Sequence, residues 1–268
     1  MSSLSARRRH PMAPVAVLLV ALLALGAAYA ALAPTSRAEV QTQSSTQVEE
    51  GKKLFAIGCA SCHGLGGEGQ IRQPDGEVLG PSLIGVGAAS VNFQVATGRM
   101  PMAAPGAQAP RKEVAYTEEQ VDQLAAYVAS LAPGPPVPTP DQYDPAQGDP
   151  ARGGVLYRTN CASCHNTTGQ GGALTYGKYA PALTNVEPIH MYQAMITGPQ
   201  SMPVFNDQVL TSEDKRDIIA YLETVEAAPN PGGLGIGRIG PVSEGLWAWI
   251  IGIGGLIGAA VWIGTKSS

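Results

Sequence analysis

The five residues Cys59-Ala60-Ser61-Cys62-His63 recur unchanged as Cys161-Ala162-Ser163-Cys164-His165. Two thiols separated by two residues share one turn of chain, and a His directly after the second is carried to the same side. That spacing suits attachment of a c-type haem: the thiols add to the vinyl groups and the imidazole ligates iron from one face. A redox dithiol or half of a zinc site also uses Cys-x-x-Cys. Zinc would need a second ligand pair close by, whereas the motifs lie 161 − 59 = 102 residues apart and each ends in its own His. The pair therefore predicts two covalently bound c-type haems, one on Cys59, Cys62 and His63 and one on Cys161, Cys164 and His165.

An electron-carrying haem iron takes a second protein ligand opposite its His. Only His10 and His190 remain as histidines, and His10 precedes the first apolar segment, on the far side of the membrane. Methionine is the alternative. Met100-Pro101 follows Thr97-Gly98 and Met202-Pro203 follows Thr197-Gly198, with 202 − 100 = 102, the separation of the haem motifs. Met102 is a rival to Met100, but its counterpart in the repeat is Val204, which cannot ligate iron. Met100 and Met202 are thus the expected metal ligands together with His63 and His165. Met191 and Met195 fit packing on a helix after Pro188, and His190 fits an ordinary structural His. Thioether ligation favours ferrous iron and raises the potential. With no open coordination position, the expected role is electron transfer with no catalytic residue.

The elements that must hold these groups are small. A chain of 268 residues with 33 Gly and 22 Pro suits two small domains and linkers. Charged residues make up 14% and the net charge is −4, so no basic footprint for nucleic acid exists. All four cysteines lie in the motifs, which leaves no thiol for a structural disulfide.

The order along the chain is a membrane segment, a tether, two modules with a linker between them, and a second membrane segment. Residues 1–34 carry Arg7-Arg8-Arg9 and then an uncharged run from Val15 to Ala33; its length favours a retained anchor over a cleaved signal, and either outcome places the downstream modules outside the cell membrane. Residues 35–50 read as a polar tether. Residues 51–131 and 150–227 are an internal repeat: Gly51, Leu54 and Phe55 answer to Gly153, Leu156 and Tyr157, and Gly67 and Gly69 to Gly169 and Gly171. Pro81 answers to Pro181 at an offset of 100, after a two-residue deletion. Each module ends in an amphipathic helix introduced by a hydroxyl and carboxylates, Thr117-Glu118-Glu119 and Thr211-Ser212-Glu213-Asp214. The proline-rich residues 132–149 read as a semi-rigid polyproline II spacer, and residues 228–243 as a flexible Gly-rich linker. Residues 244–264 are uncharged apart from Glu244 and long enough to span a bilayer, with Trp247 and Trp249 near one end, Trp262 near the other and Lys266 beyond.

Gly-x-x-Leu-Phe/Tyr, CxxCH, Pro-x-Leu, Met-Pro and a last helix with Ala-Tyr together resemble the class I cytochrome c fold, here in tandem, so the expected fold is mainly α. The resemblance implies that the carbonyls of Pro81 and Pro181 accept from the ligating His rings. It also implies that the first helix of each module crosses the last, a reason for Gly51 and Gly153 to be small. Two such modules before a C-terminal membrane helix, with the strings TGRMP, AQAPRK and TGPQSMP, resemble the dihaem cytochrome c (cytochrome cc) subunits of the actinobacterial menaquinol:cytochrome c reductase, the bcc complex. That resemblance implies cytochrome b and Rieske iron-sulfur subunits as partners, and transfer to a terminal aa3 oxidase within one supercomplex. The alternatives are the cytochrome subunit of a cbb3-type oxidase or membrane dehydrogenase, and a dihaem peroxidase.

Overall fold

A computed structural model describes residues 12–32, 45–229 and 241–266. Arg7 to Arg9, His10, the tether up to residue 44 and the Gly-rich residues 230–240 lie outside the described residues. Helix α1, Ala13–Leu32, is uncharged and forms a unit by itself.

The first module starts earlier than the glycine pattern suggests, because α2 runs from Ser45 to Gly58 and takes in residues read as tether. Its continuation is one short turn, α3 (Ala60–His63), followed by the hairpin β1 (Gln70–Ile71) and β2 (Val78–Gly80), then α4 (Gly87–Ala96) and α5 (Glu118–Leu131). Helix α5 begins at Thr117, whose hydroxyl accepts from Gln120 N–H at 3.3 Å while the Gln120 side chain accepts from Thr117 N–H at 3.0 Å. This reciprocal cap satisfies two donors that the helix start would otherwise leave open. The buried face of α5, Val121, Leu124, Ala125 and Val128, closes on Phe55 of α2 and on Val91 and Val95 of α4.

The second module repeats the plan with α7 (Pro150–Asn160), α8 (Ala162–His165), the hairpin β3 (Gly172–Ala173) and β4 (Tyr179–Ala180), α9 (Pro188–Thr197) and α10 (Ser212–Ala227). Asp149 caps α7 by accepting from Ala151 and Arg152 N–H, and Thr211 with Asp214 forms the reciprocal cap of α10. Here ion pairs reinforce the helix crossing: Arg152 of α7 donates to Asp217 at 2.6 Å and also to Asp214, both on α10. Tyr157, Ile218, Ile219 and Leu222 fill the core.

In both modules the first helix meets the last at the glycines marked by the repeat. A Cβ on Gly51 would overlap the Gln123 carbonyl oxygen, and one on Gly153 would overlap that of Asp217. No rotamer relieves such overlap, since backbone stands on both sides. Gly153→Ala is therefore expected to destabilise the second module by about 1–3 kcal/mol, the usual cost of overfilling a packed contact. Thermal unfolding of the variant should show a lower midpoint; an unchanged one would refute the close crossing.

The proline linker differs from a free spacer. Pro135 accepts from Ala89 N–H at 3.0 Å, Val137 packs on the first core, and residues Pro140–Tyr143 turn into a short helix, α6, whose Tyr143 packs on the second core. Proline fixes φ, but the packing of the half-buried Val137 and Tyr143 decides where the linker lies.

The last helix, α11 (Pro241–Lys266), is long and apolar enough from Gly245 onward to cross a membrane, and its described side chains are almost all exposed. At about 1.5 Å per residue it exceeds a hydrocarbon core of roughly 30 Å. The Lys266 ammonium sits 4.9 Å over the Trp262 ring.

Candidate haem-binding sites

The haem motif is one extra turn added to the first helix of each module. Cys59 N–H donates to the Phe55 carbonyl at 2.9 Å and His63 N–H to that of Cys59 at 3.0 Å; Cys161 and His165 make the equivalent bonds to Tyr157 and Cys161 at 2.8 and 2.9 Å. Both thiols and the imidazole of each motif are thereby placed by local helical geometry.

The chain then loops back under the imidazole. Gly69 N–H donates to the His63 carbonyl at 2.7 Å and Leu83 N–H to that of Gly67 at 2.7 Å, with Gly171 to His165 at 2.9 Å and Leu183 to Gly169 at 2.7 Å in the second module. Gly69 and Gly171 have φ of +87° and +79°, the left-handed region that favours glycine. These bonds set Pro81 and Pro181 in place: the Pro81 carbonyl lies 2.7 Å from His63 Nδ1, and the Pro181 carbonyl 2.9 Å from His165 Nδ1. A carbonyl can only accept, so Nδ1 carries the proton and Nε2 keeps its lone pair for a metal. Gly80 permits this approach in the first module, since a Cβ there would lie 3.0 Å from His63 Nδ1. Burial holds the His165 imidazole below its ordinary pKa, with the Pro181 bond opposing in part, which favours the neutral form a ligand needs.

Burial first, and the neighbouring thiol second, push Cys59 up to about 11 and Cys161 up to about 12. A thiolate is the nucleophile of disulfide exchange, and burial shifts the first thiol of each motif away from that form.

In the second module Cys161, Cys164, His165 and Met202 line one cavity of about 300 Å³. Leu183, Phe205, Ile218 and Leu222 complete its apolar wall. The donor set is an imidazole nitrogen with a free lone pair, a thioether and two thiols, in a wall that carries no Asp or Glu among the described residues. These residues fit a haem and do not fit a hard cation. In the first module Met100 packs in one group with Cys59 and Leu83, whereas Met102 lies beside Gly106 in the following loop. Met191 and Met195 are buried in the second core. His190 Nδ1 lies 3.0 Å from Gln193 Oε1 of its own helix, and its ring meets Phe93 edge-on at 6.3 Å.

Sequence reasoning missed the first module's share of the second cavity. Phe93, Thr97, Arg99, Gln108, Ala109 and Arg111 line it as well. They are held by paired amide contacts: Gln108 donates to the Tyr179 carbonyl at 2.7 Å and accepts from Tyr179 N–H at 2.9 Å, while Gln200 accepts from Ala109 N–H at 3.0 Å and donates to its carbonyl at 3.3 Å. Gln193 donates to Asn92 at 2.8 Å, and Arg111 to the Asn185 carbonyl at 3.2 Å. A signal was present in the repeat. Met100 stands 117 − 100 = 17 residues before its capping Thr, against 211 − 202 = 9 for Met202, and the longer loop is the one that reaches across.

Comparison with known proteins agrees with this geometry. Residues 48–132 match the family described as cytochrome c, and residues 148–222 match that described as cytochrome c oxidase, cbb3-type, subunit III. Over nearly its full extent the chain is similar to the cytochrome bc1 complex cytochrome c subunit of Corynebacterium efficiens, 44% identical over 97% of this chain and 90% of the relative. It is equally similar to the protein of the same description from Mycobacterium tuberculosis, 46% identical over 97% of this chain and 93% of the relative. A cbb3-type cytochrome c oxidase subunit CcoP of Azospirillum matches less: 30% identity over 45% of this chain and 40% of the relative.

Proposed function

From the premise that the chain belongs to the family of cytochrome bc1 complex cytochrome c subunits, we propose that it relays electrons from a Rieske iron-sulfur protein to a terminal aa3 oxidase by means of its two c-type haems. It is a membrane-associated cytochrome c subunit of a bc-type respiratory complex and carries covalently bound c-type haem. In this reading the complex is a menaquinol:cytochrome c reductase with cytochrome b and Rieske subunits, and both haem modules lie on the extracytoplasmic side of the cell membrane.

Each haem supplies one-electron iron chemistry when bound. The chain's own residues fix the conditions for it. Cys59 and Cys62, and Cys161 and Cys164, are the attachment points, and His63 and His165 present Nε2 because Pro81 and Pro181 engage Nδ1. Met100 and Met202 would offer the iron a soft thioether sulfur, a ligand type that raises the potential. Leu183, Phe205 and Leu222 give the second site an apolar wall. The observation that carries the reading is the convergence of His165 and Met202 on the cavity that also holds Cys161 and Cys164.

Purification in mild detergent through a tag on this subunit tests the partners. Cytochrome b, Rieske and aa3 oxidase subunits are expected in the eluate. A second reading, the cytochrome subunit of a cbb3-type oxidase, is favoured by the match of residues 148–222; a C-terminal span is unexpected for such a subunit. Elution of an oxidase without cytochrome b and Rieske protein would select that second reading.

A further inference from the structure

The wall of the second cavity holds three cationic side chains, Arg99, Arg111 and Lys178, and no carboxylate among the described residues. In a chain of net charge −4 this is a local reversal of sign. Lys178 belongs to the second module and donates to Ser201 Oγ at 3.1 Å. The two arginines come from the first module, and neither has an ion-pair partner among the described residues. Arg99 lies 4.7 Å over the Phe93 ring, and the one hydrogen bond of Arg111 goes to a neutral carbonyl, that of Asn185.

Two guanidinium groups beside an apolar wall, without an acid to balance them, make a receptor for an anion that also has an apolar body. Arg99 is half-buried and Arg111 exposed; two cations of like sign repel one another, and a bound anion offsets that repulsion. A haem brings two propionate carboxylates on one edge of an otherwise apolar ring. We infer that Arg99 and Arg111 of the first module bind the propionate edge of the haem attached to Cys161 and Cys164, so that the second haem site is completed by the first module. The inference rests on the reading of Cys161 to His165 as an attachment site.

The docking is built for it. The loop from Met100 to Thr117, eight residues longer than its counterpart, carries Arg111, and the amide pairs of Gln108 with Tyr179 and of Gln200 with Ala109 fix the loop just before that arginine. The potential of the second haem then depends on the first module staying docked. Cationic side chains near the haem favour the reduced state, because reduction adds negative charge.

Arg111→Gln, Arg111→Lys and the double variant Arg99→Gln/Arg111→Gln, made in the full-length subunit and purified in detergent, test this. Intact mass should show two haems in each. In a redox titration Arg111→Gln should lower one midpoint and leave the other in place, the double variant should lower the same midpoint further, and Arg111→Lys should restore most of it. With haem labelled in the propionate carboxyls, redox-difference infrared spectra should show a shifted carboxylate band in Arg111→Gln. Two unchanged midpoints with an unmoved band would overturn the inference while leaving the attachment site standing. A shift confined to the haem on Cys59 and Cys62, identified by combining Arg111→Gln with Met202→His, would overturn it too. Should the double variant fail to accumulate, Arg111→Gln decides alone, because Arg111 is exposed and its loss leaves both cores intact.

Discussion

Replacing Cys161 and Cys164 together with Ala is expected to leave one covalent haem per chain instead of two. Both sulfurs stand at the end of α7 on the single turn fixed by the bonds of Cys161 to Tyr157 and of His165 to Cys161, and the four cysteines of the chain are divided between two such turns. The first module keeps its own pair and its own core around Phe55 and Leu124, so the surviving haem should be the one on Cys59 and Cys62. The loss is all or none for that site, because no third thiol exists to substitute. Intact mass and the haem-to-protein absorbance ratio of the purified variant measure it. Retention of both haems would remove the attachment assignment, whatever became of activity.

Met202→His is expected to leave both haems attached and to lower the potential of one of them strongly. The thioether would be exchanged for an imidazole that stabilises ferric iron, and axial ligands set haem potentials over a range of roughly 0.8 V. Met202 packs against the second core and lines the cavity with His165, so an imidazole of similar reach finds space at the same wall. A redox titration should show one midpoint displaced by a sizeable part of that range and the other unmoved. An unchanged pair of midpoints would exclude Met202 as a ligand and return attention to Met191 and Met195, which line the same cavity.

The residues that could be read from the sequence are those whose job is local. Cys59, Cys62 and His63 act within one turn, so five consecutive letters are enough to identify them. The caps at Thr117 and Thr211 are equally local, and spacing of three residues predicts the side-chain bonds that the structure shows. The repeat proposes Met100 over Met102 because the chain contains its own comparison, Val204 standing opposite Met102. The residues that could not be read act across the modules. Gln108 and Tyr179 are 71 residues apart, and Ala109 and Gln200 are 91 apart; nothing in either stretch names the other. The linker shows the same limit, since its prolines suggest an extended spacer but say nothing of the helical turn at Pro140–Tyr143 or of Val137 and Tyr143 settling on opposite cores.

The sequence by itself determined which groups each site has on offer: a pair of thiols with an adjacent imidazole, a thioether proposed as ligand 37 residues after that imidazole by the differences 100 − 63 and 202 − 165, and an apolar helix to hold the whole at a membrane. Covalent spacing is enough for the thiols and the imidazole, because a turn brings together what lies three or four residues apart, and the repeat marks the thioether. Only the tertiary structure decided that the modules share a wall and that Arg99 and Arg111 face a cavity belonging to the other half of the chain. Such contacts depend on the sum of many weak, distant interactions, and the charge of an arginine does not state which anion it will meet until the folded chain has placed it.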